Sequence, residues 1–220
     1  MQPEYKEKII MHFLWPDRRR ASNITIVRYL LFYACMFQLA EKSIVSVKDG
    51  KLWCRAEETG DPVLDDIILM LVPLSGKKLI RLQVLVPLKA PAIYKKQMAL
   101  MTEHNYLEKE DIRFLLWKTG NRYRVRNYDI LKPGITKLER ILVYGRKWDR
   151  STMLMTLLLG EGNLFRSIFR PKDFRNKAEV RYRVLLGSRL LREDHTIYQL
   201  RKTLKKSLNT QKVVNTISKT

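Results

Sequence analysis

Apolar residues recur at helical spacing through most of the chain. Ile9, Ile10, Phe13 and Leu14 form a stripe that stops at Trp15-Pro16, because proline disfavours helix in the residue before it. A basic loop, Asp17 to Arg20, follows. Tyr29 to Ala40 is hydrophobic almost all round, which predicts a central helix. Ser43 to Ala56 alternates around Asp49-Gly50 and reads as a hairpin. In "TGDPVLDD", Thr59 to Asp66, a helix starts: Asp61 caps free amides, Pro62 fits the first turn, and Asp65 and Asp66 favour the positive end of the dipole.

The stretch after Pro73 fits two templates. Its β-branched residues suggest a strand, while its spacing also fits a helix from Lys77 to Leu85, the reading preferred here. Ala92 to His104 is a clearer helix, with Ile93, Leu100 and Met101 inward and Lys95 and Lys96 outward. A hairpin is expected over Arg113 to Asn127, with Gly120-Asn121 between its halves. Pro133-Gly134 breaks the chain before a helix near Lys137 to Tyr144, and Thr152 to Leu159 is apolar enough to be central. Six basic residues crowd Phe169 to Gly187, and a last helix begins about Thr196.

These elements predict a mainly α, compact single-domain helical bundle with one or two short β-hairpins. The domain is expected over residues 1–208, with 209–220 a flexible basic tail. Its core should hold Leu31, Ala34, Cys35, Leu154, Leu157 and Leu158. The longest oily run, Tyr29 to Ala40, has 12 residues against the about 20 that a spanning helix needs, so membrane contact is expected to be peripheral. The acidic Glu4, Glu7 and Asp17 and the lack of a cleavable apolar segment argue against a secretory signal. Cys35 and Cys54 lack metal-ligand company and read as reduced thiols of a cytoplasmic protein.

Charge changes the picture most. The 220 residues carry 43 Lys plus Arg against 22 Asp plus Glu, a net +21, which draws polyanions: nucleic acid or an anionic lipid surface. Catalytic chemistry is thin. His12, His104 and His195 are scattered without a recognisable nucleophile, and no nucleophile elbow, phosphate loop or dinucleotide fingerprint occurs. Three aspartates between Asp61 and Asp66 could suggest a metal, but capping explains them better. A binding protein is expected, with no enzyme activity, no cofactor and no metal.

Four motifs in order carry a resemblance: "TGDPVLDD" at Thr59 to Asp66, "RFLLW" at Arg113 to Trp117 preceded by Leu107, Asp149-Arg150 opening "STMLMTLLLG", and "VRYRVLL" at Val180 to Leu186. Through them the chain resembles the Golgi phosphoprotein 3-like family, as a divergent bacterial-type member, over most of residues 5–208. The resemblance implies a helical peripheral membrane protein that recognises phosphoinositide headgroups. It points to Trp15, Arg18, Arg28, Lys95 and Lys96 as the headgroup-binding residues. The two lysines are displaced from the family's two arginines and lack the planar fork that grips phosphate bidentately. A broad preference for anionic headgroups is what this implies.

The family's hairpin projects and is hydrophobic, available for membrane insertion or self-association. Here Phe114, Leu115, Leu116 and Trp117 supply the apolar surface, and Arg122, Arg124 and Arg126 alternate along one face of the return strand. An anionic membrane surface is therefore the expected partner, with a homo-oligomer through the 113–127 hairpin as a further expectation. The rival is a winged-helix-like nucleic-acid-binding protein, in which the helix over 92–104 would read bases. Exposed base readers are thin there, with Gln97 and Asn105 the exceptions.

Overall fold

The computed structural model describes residues 4–14, 24–114 and 117–217. Its architecture is mainly helical, with two small antiparallel hairpins. Helix α1 (Tyr5–Phe13) opens with a capping box in which the Glu4 amide donates to the Glu7 carboxylate at 2.8 Å. Helix α2 (Ile24–Glu41) is the hub, extending beyond the 29–40 run on both sides. At 18 residues and mean hydropathy 1.3 it is long and apolar enough to cross a membrane, but 67% of it is buried inside the domain. Leu31, Ala34 and Cys35 are fully enclosed, as are Leu154, Leu157 and Leu158 of α6 (Arg150–Glu161), so the expected core is the observed one. Both cysteines are free thiols, and burial pushes the Cys35 thiol up to about 12.

Strands β1 (Val45–Lys48) and β2 (Lys51–Cys54) pair around Asp49 (φ 51°) and Gly50 (φ 68°). Two left-handed residues in succession match the twist of a tight hairpin, which is why Asp-Gly marks it. Helix α3 (Pro62–Leu71) begins as its sequence predicts: Asp61 Oδ1 accepts from the Val63 and Leu64 amides at 2.9 and 3.1 Å. Asp65 instead reaches back to Thr59, accepting from its amide and hydroxyl at 2.7 Å each. The other Asp61 oxygen pairs with Lys6, a buried cation on α1.

The two helices expected over 77–85 and 92–104 are one. A 3₁₀ turn (Leu79–Arg81) leads into α4 (Leu82–Glu103), which runs through Pro87 and Pro91. Each proline removes an amide donor, yet both sit on the exposed side, where water can serve the freed carbonyls. Strand character survives only as a single bridge between Lys51 and Lys78.

Strands β3 (Leu107–Phe114) and β4 (Trp117–Val125) form a longer hairpin than expected. Gly120 and Asn121 are not its turn. They lie within β4 opposite Ile112 and Asp111, beside a bulge, where Arg113 pairs with Lys118 and Thr119 is left over. Phe114 stands opposite Trp117 at the last described pair, while Leu115 and Leu116 lie outside the described residues. Buried Leu107 and Val125 fix the base of the hairpin in the core.

Helix α5 (Lys132–Leu142) starts earlier than the 137–144 expectation, because Pro133 enters its first turn instead of preceding it. After α6 come α7 (Phe165–Ile168), α8 (Lys172–Gly187) and α9 (Arg189–Glu193). Helix α10 spans His195–Ile217, carrying through most of the segment expected to be a tail. Leu200, Leu204 and Leu208 repeat at four-residue spacing and are buried, and Gln211 accepts from the Tyr29 hydroxyl at 3.2 Å.

Candidate anion-binding site and hairpin

Arg28 sits in the second turn of α2, half buried, with its guanidinium carbon 5.8 Å from the Tyr94 ring centroid on α4. Its Nε is buried and has no acceptor among the described residues. Leaving such a donor unpaired costs about 1–3 kcal/mol, partly offset by the cation–π contact. Burial raises the Tyr94 hydroxyl pKa, with Arg28 pulling the other way. Lys95, next along the chain, is exposed. The packing of α2 on α4 thus brings Arg28, one of the expected headgroup residues, against Tyr94, the residue before Lys95 in sequence.

Lys96 is drawn elsewhere. Its ammonium donates to Asp66 at 2.6 Å and to the Pro62 carbonyl at 2.8 Å, tying α4 to the first turn of α3. Trp15 and Arg18 lie outside the described residues. Gln97, a base-reading candidate in the nucleic-acid reading, is buried and donates to Glu7 at 2.9 Å. Asn105 occupies a left-handed turn position at the end of α4 (φ 61°).

On the hairpin, the return-strand arginines have acidic company. Arg124 pairs with Glu110 at 3.2 Å and Arg126 with Glu108 at 3.4 Å, all four side chains about half exposed. Arg122 stands directly across from Glu110. Both glutamates precede Arg113, so a hairpin confined to 113–127 does not contain them. A register turning at Gly120-Asn121 leaves them outside the hairpin altogether.

A second basic concavity was not legible in the sequence. A cleft of about 300 Å³ lies between α1, α5 and α6, with Lys8, His12, Lys137, Ser151 and Thr152 on its walls. Burial, then the charge of Lys137, lowers the Lys8 pKa. Asp149 already partners Lys137 at 3.0 Å, so this cleft carries its own counter-charge.

Two of the motif arginines, Arg150 and Arg181, are held in contacts within the domain. Arg150 ties α6 to Glu41 at 3.3 Å and to Asp194 at 2.7 Å. Arg181 lies over the Trp148 ring and donates to the Arg146 carbonyl at 3.0 Å. Tyr182 and Arg201 both converge on Glu161 at 2.5 Å, a buried ion pair with a phenol attached. Groups of His, Cys, Asp or Glu able to hold a metal ion are absent among the described residues. No family model matches the chain, and no curated protein matches it significantly.

Proposed function

We propose that this protein is a non-catalytic, peripheral membrane protein of the cytoplasm that docks on anionic phospholipid headgroups, as its resemblance to Golgi phosphoprotein 3-like proteins implies. One observation carries the reading: Arg28, a half-buried cation against the Tyr94 ring, has an Nε that meets no acceptor among the described residues, on a chain of net +21. A headgroup phosphate supplies the missing acceptor, and the surrounding charge concentrates the protein at an acidic leaflet. The resemblance further implies that the 107–125 hairpin is an apolar and basic arm for the membrane, and Phe114 stands opposite Trp117 at its last described pair. The nucleic-acid reading loses a base reader in Gln97, which is buried.

The test is co-sedimentation with phosphatidylcholine vesicles, with and without phosphatidylserine or a phosphatidylinositol phosphate, beside a nucleic-acid shift assay at matched salt. The parent should bind acidic vesicles and lose binding as salt rises. Arg28→Met should weaken that binding by about tenfold, the worth of one charge-assisted hydrogen bond. Its melting temperature should stay level or rise, because the substitution removes an unpaired buried donor. Equal binding to neutral vesicles, or tight nucleic-acid binding without vesicle binding, would overturn the reading.

A further inference from the structure

Between Asp66 and Glu103 the sequence holds no acidic residue, and this stretch includes the whole N-terminal half of α4. Ile80, Val84 and Leu88 follow one another at four-residue spacing, so they form a ridge along one side of the 3₁₀ turn and helix. They are 55%, 67% and 69% exposed, unusual for large aliphatics in a chain with so extensive a core. With Leu74 and Leu85 they line an apolar groove of about 470 Å³, which Arg81 borders. Half-exposed Trp53 lies against Gly76, two residues from Leu74.

Cations rim this ridge. Lys77, Lys78, Arg81 and Lys89 are exposed, and none has an ion pair among the described residues. The bridge between Lys78 and Lys51 adds β2 to the rim, and Lys48 stands opposite Lys51 across the hairpin. Asp49, in the hairpin turn, is the acid beside them. Lys202 and Lys206 of α10 share a groove with Gly50 of the hairpin turn, Ile80 and Gln83.

We infer that the Ile80–Val84–Leu88 ridge is a membrane-insertion surface, which enters the boundary of an anionic leaflet while its rim of cations meets the headgroup phosphates. The inference rests on the proposed membrane docking and names a second contact face for it, distinct from the hairpin and from Arg28. Charge complementarity selects the occupant. Clustered, unpaired lysines repel one another, and a surface of fixed negative charge relieves all of them together. Exposed aliphatic side chains select between polyanions: acyl chains accept them, whereas a nucleic-acid backbone leaves them in water, and base stacking uses aromatic rings. An apolar stripe flanked by Lys and Arg is the pattern of helices that lie in the interface plane.

The experiment measures partition of the full chain onto vesicles of phosphatidylcholine with phosphatidylserine. Val84→Glu with Leu88→Glu should lower partition by more than about tenfold, since two apolar contacts become repulsive. Both positions are exposed, so melting should match the parent. Lys77→Ser with Lys78→Ser should weaken binding and flatten its salt dependence. As an independent readout, Val84→Cys in a Cys54→Ser background, labelled with a polarity-sensitive dye, should shift to the blue on acidic vesicles. A parent that ignores acidic vesicles overturns both the docking proposal and this inference. A parent that binds, is weakened by Arg28→Met, and binds equally well with the two glutamates overturns this inference alone. The inference also falls if the acidic variant merely dissociates a dimer while vesicle binding persists, which would make the ridge an interface between copies. Should the acidic variant melt early, the dye decides, and an unshifted spectrum overturns the inference.

Discussion

Asp149 accepts from the Thr152 amide at 3.1 Å and its hydroxyl at 2.7 Å, and takes a third bond from Lys137 at 3.0 Å. Burial alone raises its carboxyl pKa, but these bonds to the charged form outweigh it and hold the pKa below the ordinary 3.8. A depressed folded pKa means the stabilisation is present above the ordinary value and fades as pH falls through the folded one. Asp149→Ala should therefore cost about 1 kcal/mol at neutral pH, as for a lost helix cap. In urea melts the gap between variant and parent should close as the solution is acidified below 3.8, the ordinary carboxyl value. A gap that persists undiminished in strong acid would contradict this account. The aspartates of "TGDPVLDD" show how much of residue scale is legible. Capping by Asp61 follows from its position before Pro62, whereas its pairing with Lys6 and the Asp66–Lys96 pair depend on chain segments far away in sequence.

At the scale of elements, the β3–β4 hairpin reduces the charge expected of its return strand. Arg124 and Arg126 are partly neutralised by Glu110 and Glu108, so the hairpin offers less net charge than its return strand alone suggests. Under the docking reading, Glu108→Gln with Glu110→Gln should strengthen partition onto acidic vesicles. Each released cation contributes roughly 1 kcal/mol near an anionic leaflet, so a gain of several-fold is expected. Stability should change little, because exposed cross-strand ion pairs are worth at most about 1 kcal/mol. Unchanged or weakened partition would mean that this face of the hairpin does not meet headgroups. The place of the two glutamates was illegible in the sequence for a definite reason. Gly120-Asn121 is a strong turn signal locally, but burial of Leu107 and Val125 as a pair sets the register, and that register turns beyond Phe114. Helix α4 makes the same point: local spacing gave two helices, over 77–85 and 92–104, yet Leu82, Val86, Ala90 and Ile93 bury one continuous face, and Pro87 and Pro91 fall on the other.

For the whole molecule, a net charge of +21 on one compact body is a standing self-repulsion. Sodium chloride shortens its reach to about 10 Å at 0.1 M, and a polyanion such as heparin should offset it by pairing with the folded surface. The melting temperature should rise from low to moderate salt and rise further with heparin. The transition should be single, since one contiguous core joins residues from α1 to α10. A melting temperature that falls with salt, or two separated transitions, would show that charge or core is arranged otherwise. What the sequence by itself determined is the part written in local spacing: a mainly helical fold, the all-apolar α2 and α6, the Asp49-Gly50 turn and the Asp61 cap. Those depend on periodicity and on side chains bonding to their own neighbours. Only the tertiary structure decided which charges stay unpaired and which apolar faces stay bare. Lys96 found Asp66, Gln97 found Glu7, and Arg126 found Glu108, while Arg28 Nε met no acceptor among the described residues. Val84 and Leu88 were left facing outward by the same packing. Pairing and exposure are properties of surfaces brought together from distant segments, and local spacing carries no record of them.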